Sequence, residues 1–323
     1  MQLNVIVNFG GPRNLNEIED FLKALLCDRD VIRTGFPSWL HNLLFSRIAK
    51  KRARTIVKDY ELIGGSSPIF EDTEAIAHTI SATRSQKVLT FHRYLPSTHE
   101  AFIQTIRNSE CDRLTIFPMF PQYSYATTGS IARFFSKRFG ISAMNKMGWV
   151  RSYFSHPAYI QCMQKCIAEY LQEQNLNEKE TILFFSPHGL PQEFISRGDR
   201  YQTECQASFQ KIASFFPNAL SVLAYQSKFG KGEWLRPYTN ELCEQVASWG
   251  KGYRNGVFIP LSFTSDHIET LFEVEYQYLP IVRAKGFHAY RCPALNRRKD
   301  WINAIAQIMN DSTLCNTQSL IPP

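Results

Sequence analysis

The chain of 323 residues exceeds the usual span of one hydrophobic core, so two domains of about 150 residues each are expected. Hydrophobic residues make up 44% and charged residues 20%, ordinary globular usage that excludes a disordered or fibrous chain. The net charge of +7 comes without a basic arm or an aromatic-rich nucleic-acid motif, which argues against nucleic acid as a partner.

In chain order, Met1 to Phe9 is a short apolar run that ends at Gly10-Gly11-Pro12 and reads as a first strand rather than a leader. Phe36 to Arg54 follows, with Trp39, Leu40, Leu43, Leu44 and Ile48 beside Lys50, Lys51, Arg52 and Arg54. Two readings stand for it: a core-facing helix with a solvated end, or a lip for a membrane surface or an amphiphilic ligand. Lys87 to His92 and Arg113 to Pro118 read as strands, with the helical spacing of Ser97 to Asn108 between them.

The second half repeats the rhythm. Strands are expected at Thr181 to Phe185, Leu220 to Tyr225, Gly256 to Leu261 and Phe287 to Arg291. Crossover helices are expected at Pro157 to Gln174, Arg200 to Phe216 and Pro237 to Trp249. Alternation of this kind means α/β domains with parallel sheets. Gly140 and Gly148 place the boundary so that residues 1–145 and 146–310 form the two domains, with 311–323 a polar, frayed tail. No apolar run approaches the roughly 18 residues that cross a bilayer, so a cytoplasmic protein is expected, at most peripheral to the membrane's inner face.

Eight cysteines without a C-x-x-C pair signal neither a zinc ribbon nor a disulfide framework, and Cys162 and Cys166 read as packing residues. Neither Gly10-Gly11 nor Gly64-Gly65 belongs to a dinucleotide or phosphate loop.

Ligands of open parallel sheets bind beyond the carboxyl ends of strands. The strand Thr181 to Phe185 empties into Ser186-Pro187-His188-Gly189-Leu190-Pro191, a stiff, tightly bent loop that fixes an imidazole suited to metal binding or proton transfer. The strand from Gly256 runs into a segment carrying Asp266, His267, Glu269 and Glu273, whose three carboxylates share one helical face. One reading makes Asp266 an N-cap with Glu269 its capping-box partner. The other makes the stripe a conduit for cations or protons, and oxygen ligands with one imidazole suit ferrous iron among divalent metals.

Asn8 to Pro12, Tyr60 to Pro68, Arg93-Tyr94, Pro121 to Ser124 with Thr128-Gly129-Ser130, Phe185 to Pro191, Gln226-Ser227-Lys228 with Trp234-Leu235, and Thr264 to Leu271 occur in this order. On these segments the chain resembles the ferrochelatase family from about Leu3 to Met309. The resemblance implies two flavodoxin-like domains with a porphyrin cleft between them, and His188 with Glu269 as the metal pair. It implies that Glu273, His267 and Asp266 support proton or metal traffic and that Phe263 packs near the macrocycle. Arg93, Tyr94, Tyr123 and Trp234 fall at cleft positions, while Arg52, Tyr60 and Ser67 are implied propionate contacts and Lys51 stands where arginine is common.

Iron is then a substrate rather than a resident cofactor. The iron–sulfur cluster of some members is not expected, because Tyr125 occupies the internal cysteine's place and the tail holds only Cys315. Glu269-Thr270-Leu271 and Gly189 look more like enzymes that metallate protoporphyrin IX than those that use coproporphyrin III. Another tetrapyrrole chelatase and a non-catalytic haem carrier are the alternatives, and a monomer or homodimer is expected.

Overall fold

The computed structural model describes residues 2–84, 86–230 and 232–322. They form two compact units, Met1–Ser152 with Ile305–Pro323, and Tyr153–Ala304.

In the first unit β1 (Gln2–Asn8) is apolar and buried from Leu3 onward, the pattern of a strand covered on both faces. It pairs in parallel with β2 (Val88–His92) and β3 (Arg113–Pro118), and β3 pairs in parallel with β4 (Met147–Trp149). The order is β2-β1-β3-β4. Helices α1 (Ile18–Leu26), α2 (Ser38–Leu62), α3 (Ile69–Arg84), α4 (His99–Arg107) and α5 (Ser130–Arg138) belong to this unit. On α2 the buried face carries His41, Ala49, Ala53 and Tyr60, whereas Trp39, Leu43 and Leu44 are exposed. Leu40, Phe45 and Ile48 are half-buried, so the apolar run is divided between an outward face and a side that packs toward the protein.

In the second unit β5 (Thr181–Phe185) is buried at every position and pairs in parallel with β6 (Leu220–Leu223) and β7 (Asn255–Ile259). With β8 (His288–Arg291) beyond β7, the order is β6-β5-β7-β8. Both units thus run their strands second, first, third, fourth, an architectural repeat that the sequence does not advertise. Phe184 and Phe258 stack at 4.6 Å between the two central strands, within a core that includes Val246, Val274 and Val282. The helix Pro157–Glu173 starts with proline at its first position and His156 as cap, and it buries Cys162 and Cys166.

Two features depart from expectation. β4 places residues 147–149 in the first sheet, so the first unit extends to Ser152 rather than ending at 145. Residues 311–322 are not frayed. Cys315 exchanges backbone hydrogen bonds with Trp149, Thr317 accepts from the Trp149 indole at 3.0 Å, and Leu320 is fully buried. Gly148 permits this approach, since a Cβ there would come within 2.8 Å of Leu314. The return of the tail to the first unit reflects these buried contacts, which outweigh its polar composition.

Candidate active site

His188 lies on the loop that leaves β5, and its backbone is held from several directions. Its amide donates to Ser262 Oγ at 3.0 Å and its carbonyl accepts from the Tyr201 hydroxyl at 2.8 Å. The next amide, Gly189, donates to the Gln226 carbonyl at 2.8 Å, so close that a Cβ on Gly189 would also stand 2.8 Å from that oxygen. Trp234 and Phe263 stand edge-on to the imidazole with ring centroids at 6.4 and 6.3 Å.

The partner comes from the segment after β7, a π-helix spanning Glu269–Tyr278. Its i→i+5 bonding widens the turn, a rare geometry frequent at functional sites. Glu269 opens this helix, and its Oε2 lies 2.9 Å from His188 Nδ1 and 3.4 Å from His267 Nε2. The His267 ring packs on Phe263 at 4.4 Å, and its buried Nδ1 has no hydrogen-bond partner among the described residues. Burial opposes ionisation of Glu269, but the two histidines outweigh it and hold the carboxyl below its ordinary value. Burial likewise lowers the His188 pKa, and the Glu269 carboxylate more than restores it, so the imidazole sits above its ordinary value.

Glu273 accepts from the Ser227 amide at 2.9 Å, from Gln226 Nε2 at 3.2 Å, and from the Ser227 and Tyr278 hydroxyls. Burial and the charge of Glu269 push its carboxyl upward despite those donors. Gln226 ties the Glu273 carboxylate to the backbone of Glu269, since its amide also donates to the Glu269 main-chain carbonyl at 2.9 Å. Ser227 reaches Glu273 from the left-handed region at φ 64°.

Asp266 does not extend this stripe. Its oxygens take Arg291 at 2.9 Å, Thr270 at 2.8 Å and Asn296 at 2.8 Å, which ties down the approach to the π-helix. The capping-box reading fails as well, because Asp266 bonds side chains there and Glu269 turns to His188. Both readings assume a regular helix, and the wide turn together with the Arg291 bond to Asp266 removes that basis.

Of the other implied contacts, Arg52, Arg93, Trp234 and Phe263 retain accessible surface. Tyr60, Ser67, Tyr94 and Tyr123 are buried. Tyr94 has 0% exposure, with its hydroxyl on Asp28 at 3.0 Å, and Tyr123 donates to the Leu320 carbonyl at 2.6 Å. Ser67 fits against Gly11, where a Cβ would come within 2.5 Å of it. All four are thus enclosed by the protein in this conformation. Tyr201, Ser262 and Tyr278 escaped sequence reasoning because an isolated hydroxyl carries no pattern. Among the described residues, no group of three or more His, Cys, Asp or Glu is arranged to hold a metal ion.

Two parallel four-stranded sheets with a histidine–carboxylate pair on strand-end loops define a chelatase-type α/β protein. The fold is similar to CbiX, the terminal enzyme for siroheme biosynthesis in denitrifying bacteria, at a TM-score of 0.53 and 12% identity, covering 97% of this chain and 100% of that one. It is also similar to SirB from Bacillus subtilis with Fe3+, at a TM-score of 0.57 and 10% identity, covering 96% and 94%. The chain belongs to the ferrochelatase family, whose model matches residues 5–313. A ferrochelatase of Chlamydia caviae is 42% identical over 98% of both chains, and one of Chlamydia trachomatis serovar A is 42% identical over 95% of both. Its reaction is accordingly that of a lyase of haem biosynthesis, which places iron in a porphyrin.

Proposed function

We propose that the porphyrin is protoporphyrin IX and that His188 and Glu269 carry the reaction. The observation that supports this most is the 2.9 Å contact between His188 Nδ1 and Glu269, on a loop whose backbone is pinned on both sides of the imidazole. With Nδ1–H donating to an ionised Glu269, the lone pair lies on Nε2, free to take a pyrrole proton or to meet Fe2+. Two pyrrole protons leave as Fe2+ enters. His188 accepts them, and the neighbouring carboxyls pass them on.

The environments of Glu269 and Glu273 push their pKa values apart, the usual mark of a pair that divides proton holding between its members. Trp234 and Phe263 supply flat apolar faces beside the imidazole, Arg52 supplies charge for a propionate, and Arg93 is a further porphyrin contact. Glu269-Thr270-Leu271 and Gly189 favour protoporphyrin IX over coproporphyrin III. Iron is substrate in this reading, and Tyr125 with a lone tail cysteine, Cys315, speaks against an iron–sulfur cluster. One chain supplies both His188 and Glu269, so a monomer suffices. The outward Trp39, Leu43 and Leu44, followed by exposed Lys50, Lys51 and Arg54, favour peripheral contact with the inner face of a membrane. None of the chain's helices is long and apolar enough to cross one among the described residues.

The test is anaerobic metallation of protoporphyrin IX and of coproporphyrin III, followed by loss of the free-base spectrum. His188→Ala is expected to lower turnover at least about a hundredfold, the scale of a lost general base, while porphyrin binding persists. Glu269→Gln should impair it in the same direction. Near-normal turnover of His188→Ala would remove it from the mechanism, and faster metallation of coproporphyrin III would reassign the substrate. Stoichiometric haem binding without turnover would make the protein a carrier. The purified protein should lack the visible absorption of an iron–sulfur cluster.

A further inference from the structure

One buried carboxylate in the first unit collects donors from three separate segments. Asp28 follows α1, and its Oδ2 accepts from Arg93 Nη2 at 2.7 Å, from the Tyr94 hydroxyl at 3.0 Å and from the Ser130 hydroxyl. Its other oxygen takes the Asp30 amide at 2.9 Å. Ser130, the first residue of α5, also accepts from Arg93 Nε at 3.0 Å. The Tyr94 and Phe134 rings lie 5.0 and 4.9 Å from the guanidinium carbon. The guanidinium is therefore fixed through Nε and Nη2, and no described residue accepts from Nη1. Arg93 lines a cavity of about 440 Å³ together with Cys27, Asn42, Arg133 and Lys137.

A guanidinium presents its donors as a rigid planar fork, so fixing one edge aims the other. Tyr94 is fully buried and Ser130 is neutral, which leaves Asp28 as the charged anchor that sets the direction of the fork. A neighbouring pair, Asp30 with Arg133 at 2.8 Å, is built alike, but Arg133 also spends a donor on the Pro322 carbonyl. Beyond its bonds to Asp28 and Ser130, Arg93 commits no further donor to a described residue.

We infer that Asp28 is a positioning residue for porphyrin binding, which pre-orders Arg93 through a shared hydrogen-bond knot with Ser130 and Tyr94. This rests on the reading of Arg93 as a porphyrin contact. Pre-ordering removes the cost of immobilising a long side chain when substrate arrives, so its loss falls on binding rather than on the chemical step.

The experiment compares KM for protoporphyrin IX, kcat and thermal stability in the full-length wild type, Asp28→Asn, Ser130→Ala, Arg93→Ala and the Asp28→Asn/Arg93→Ala pair. Asp28→Asn is expected to raise KM about tenfold, the scale of one lost charge-assisted hydrogen bond, with kcat within about twofold. Ser130→Ala, which keeps the buried charge, should raise KM by a smaller factor and serves should Asp28→Asn fail to fold. The double variant should bind porphyrin no worse than Arg93→Ala. Additive losses, or an unchanged KM in both Asp28→Asn and Ser130→Ala, would overturn the positioning role. If Arg93→Ala itself leaves KM unchanged, the assignment of Arg93 as a porphyrin contact falls, and Asp28 with it.

Discussion

His99 carries a pH dependence separate from the chemistry. It is buried against Phe91 at 5.0 Å and hydrogen-bonds the His92 carbonyl at 2.9 Å. Burial pulls its pKa down to about 4. Because the folded value lies below the unfolded one near 6.5, the unfolded chain binds more protons between them, so stability is complete above that range and falls as pH drops through it. The loss reaches up to about 3 kcal/mol at roughly 1.4 kcal/mol per pKa unit. Chemical denaturation at pH 7 and pH 4.5 should reveal it, and His99→Gln should flatten that difference. An undiminished acid loss in the variant would assign it to other groups.

At the scale of elements, the residues 312–322 act as a strap on the first unit. Leu320 is fully buried, its carbonyl accepts from Tyr123, and a Cβ on Gly129 would meet that same carbonyl at 3.2 Å. Leu320→Ala is expected to cost about 2–4 kcal/mol, the range for a buried leucine truncated without collapse of the site. A melting temperature equal to that of the wild type would show that the strap adds nothing.

The same elements explain what sequence reading could reach. β1, β3, β5 and β7 were legible because a strand covered on both faces must be an apolar run. His188 was legible because prolines and glycine mark a stiff loop at a strand end. β4 was not, since a three-residue strand leaves no periodicity. The partition of acidic residues after β7 was also hidden. Spacing places Asp266, Glu269 and Glu273 together, but Arg291, distant in sequence, claims Asp266, and the wide helical turn sends the other two to His188 and Ser227.

For the molecule as a whole, the proposed membrane contact draws on the surplus of positive charge and on the outward Trp39, Leu43 and Leu44. Apolar insertion and attraction to anionic headgroups reinforce each other, each basic residue near the surface contributing about 1 kcal/mol. Sedimentation with phosphatidylcholine vesicles containing phosphatidylserine should carry the protein down, less so in high salt and less so for Trp39→Ser. Equal recovery in the supernatant with and without vesicles would refute the contact.

The division of the chain has a consequence for biosynthesis. The second unit is one uninterrupted stretch, complete once Ala304 has been made. The first unit takes residues 1–152 yet also draws on residues 305–323, which are made only after the whole of the second unit. Its four strands emerge early with the Trp149 edge still unpaired. The later-made half can finish folding first, and the earlier-made half then closes after it.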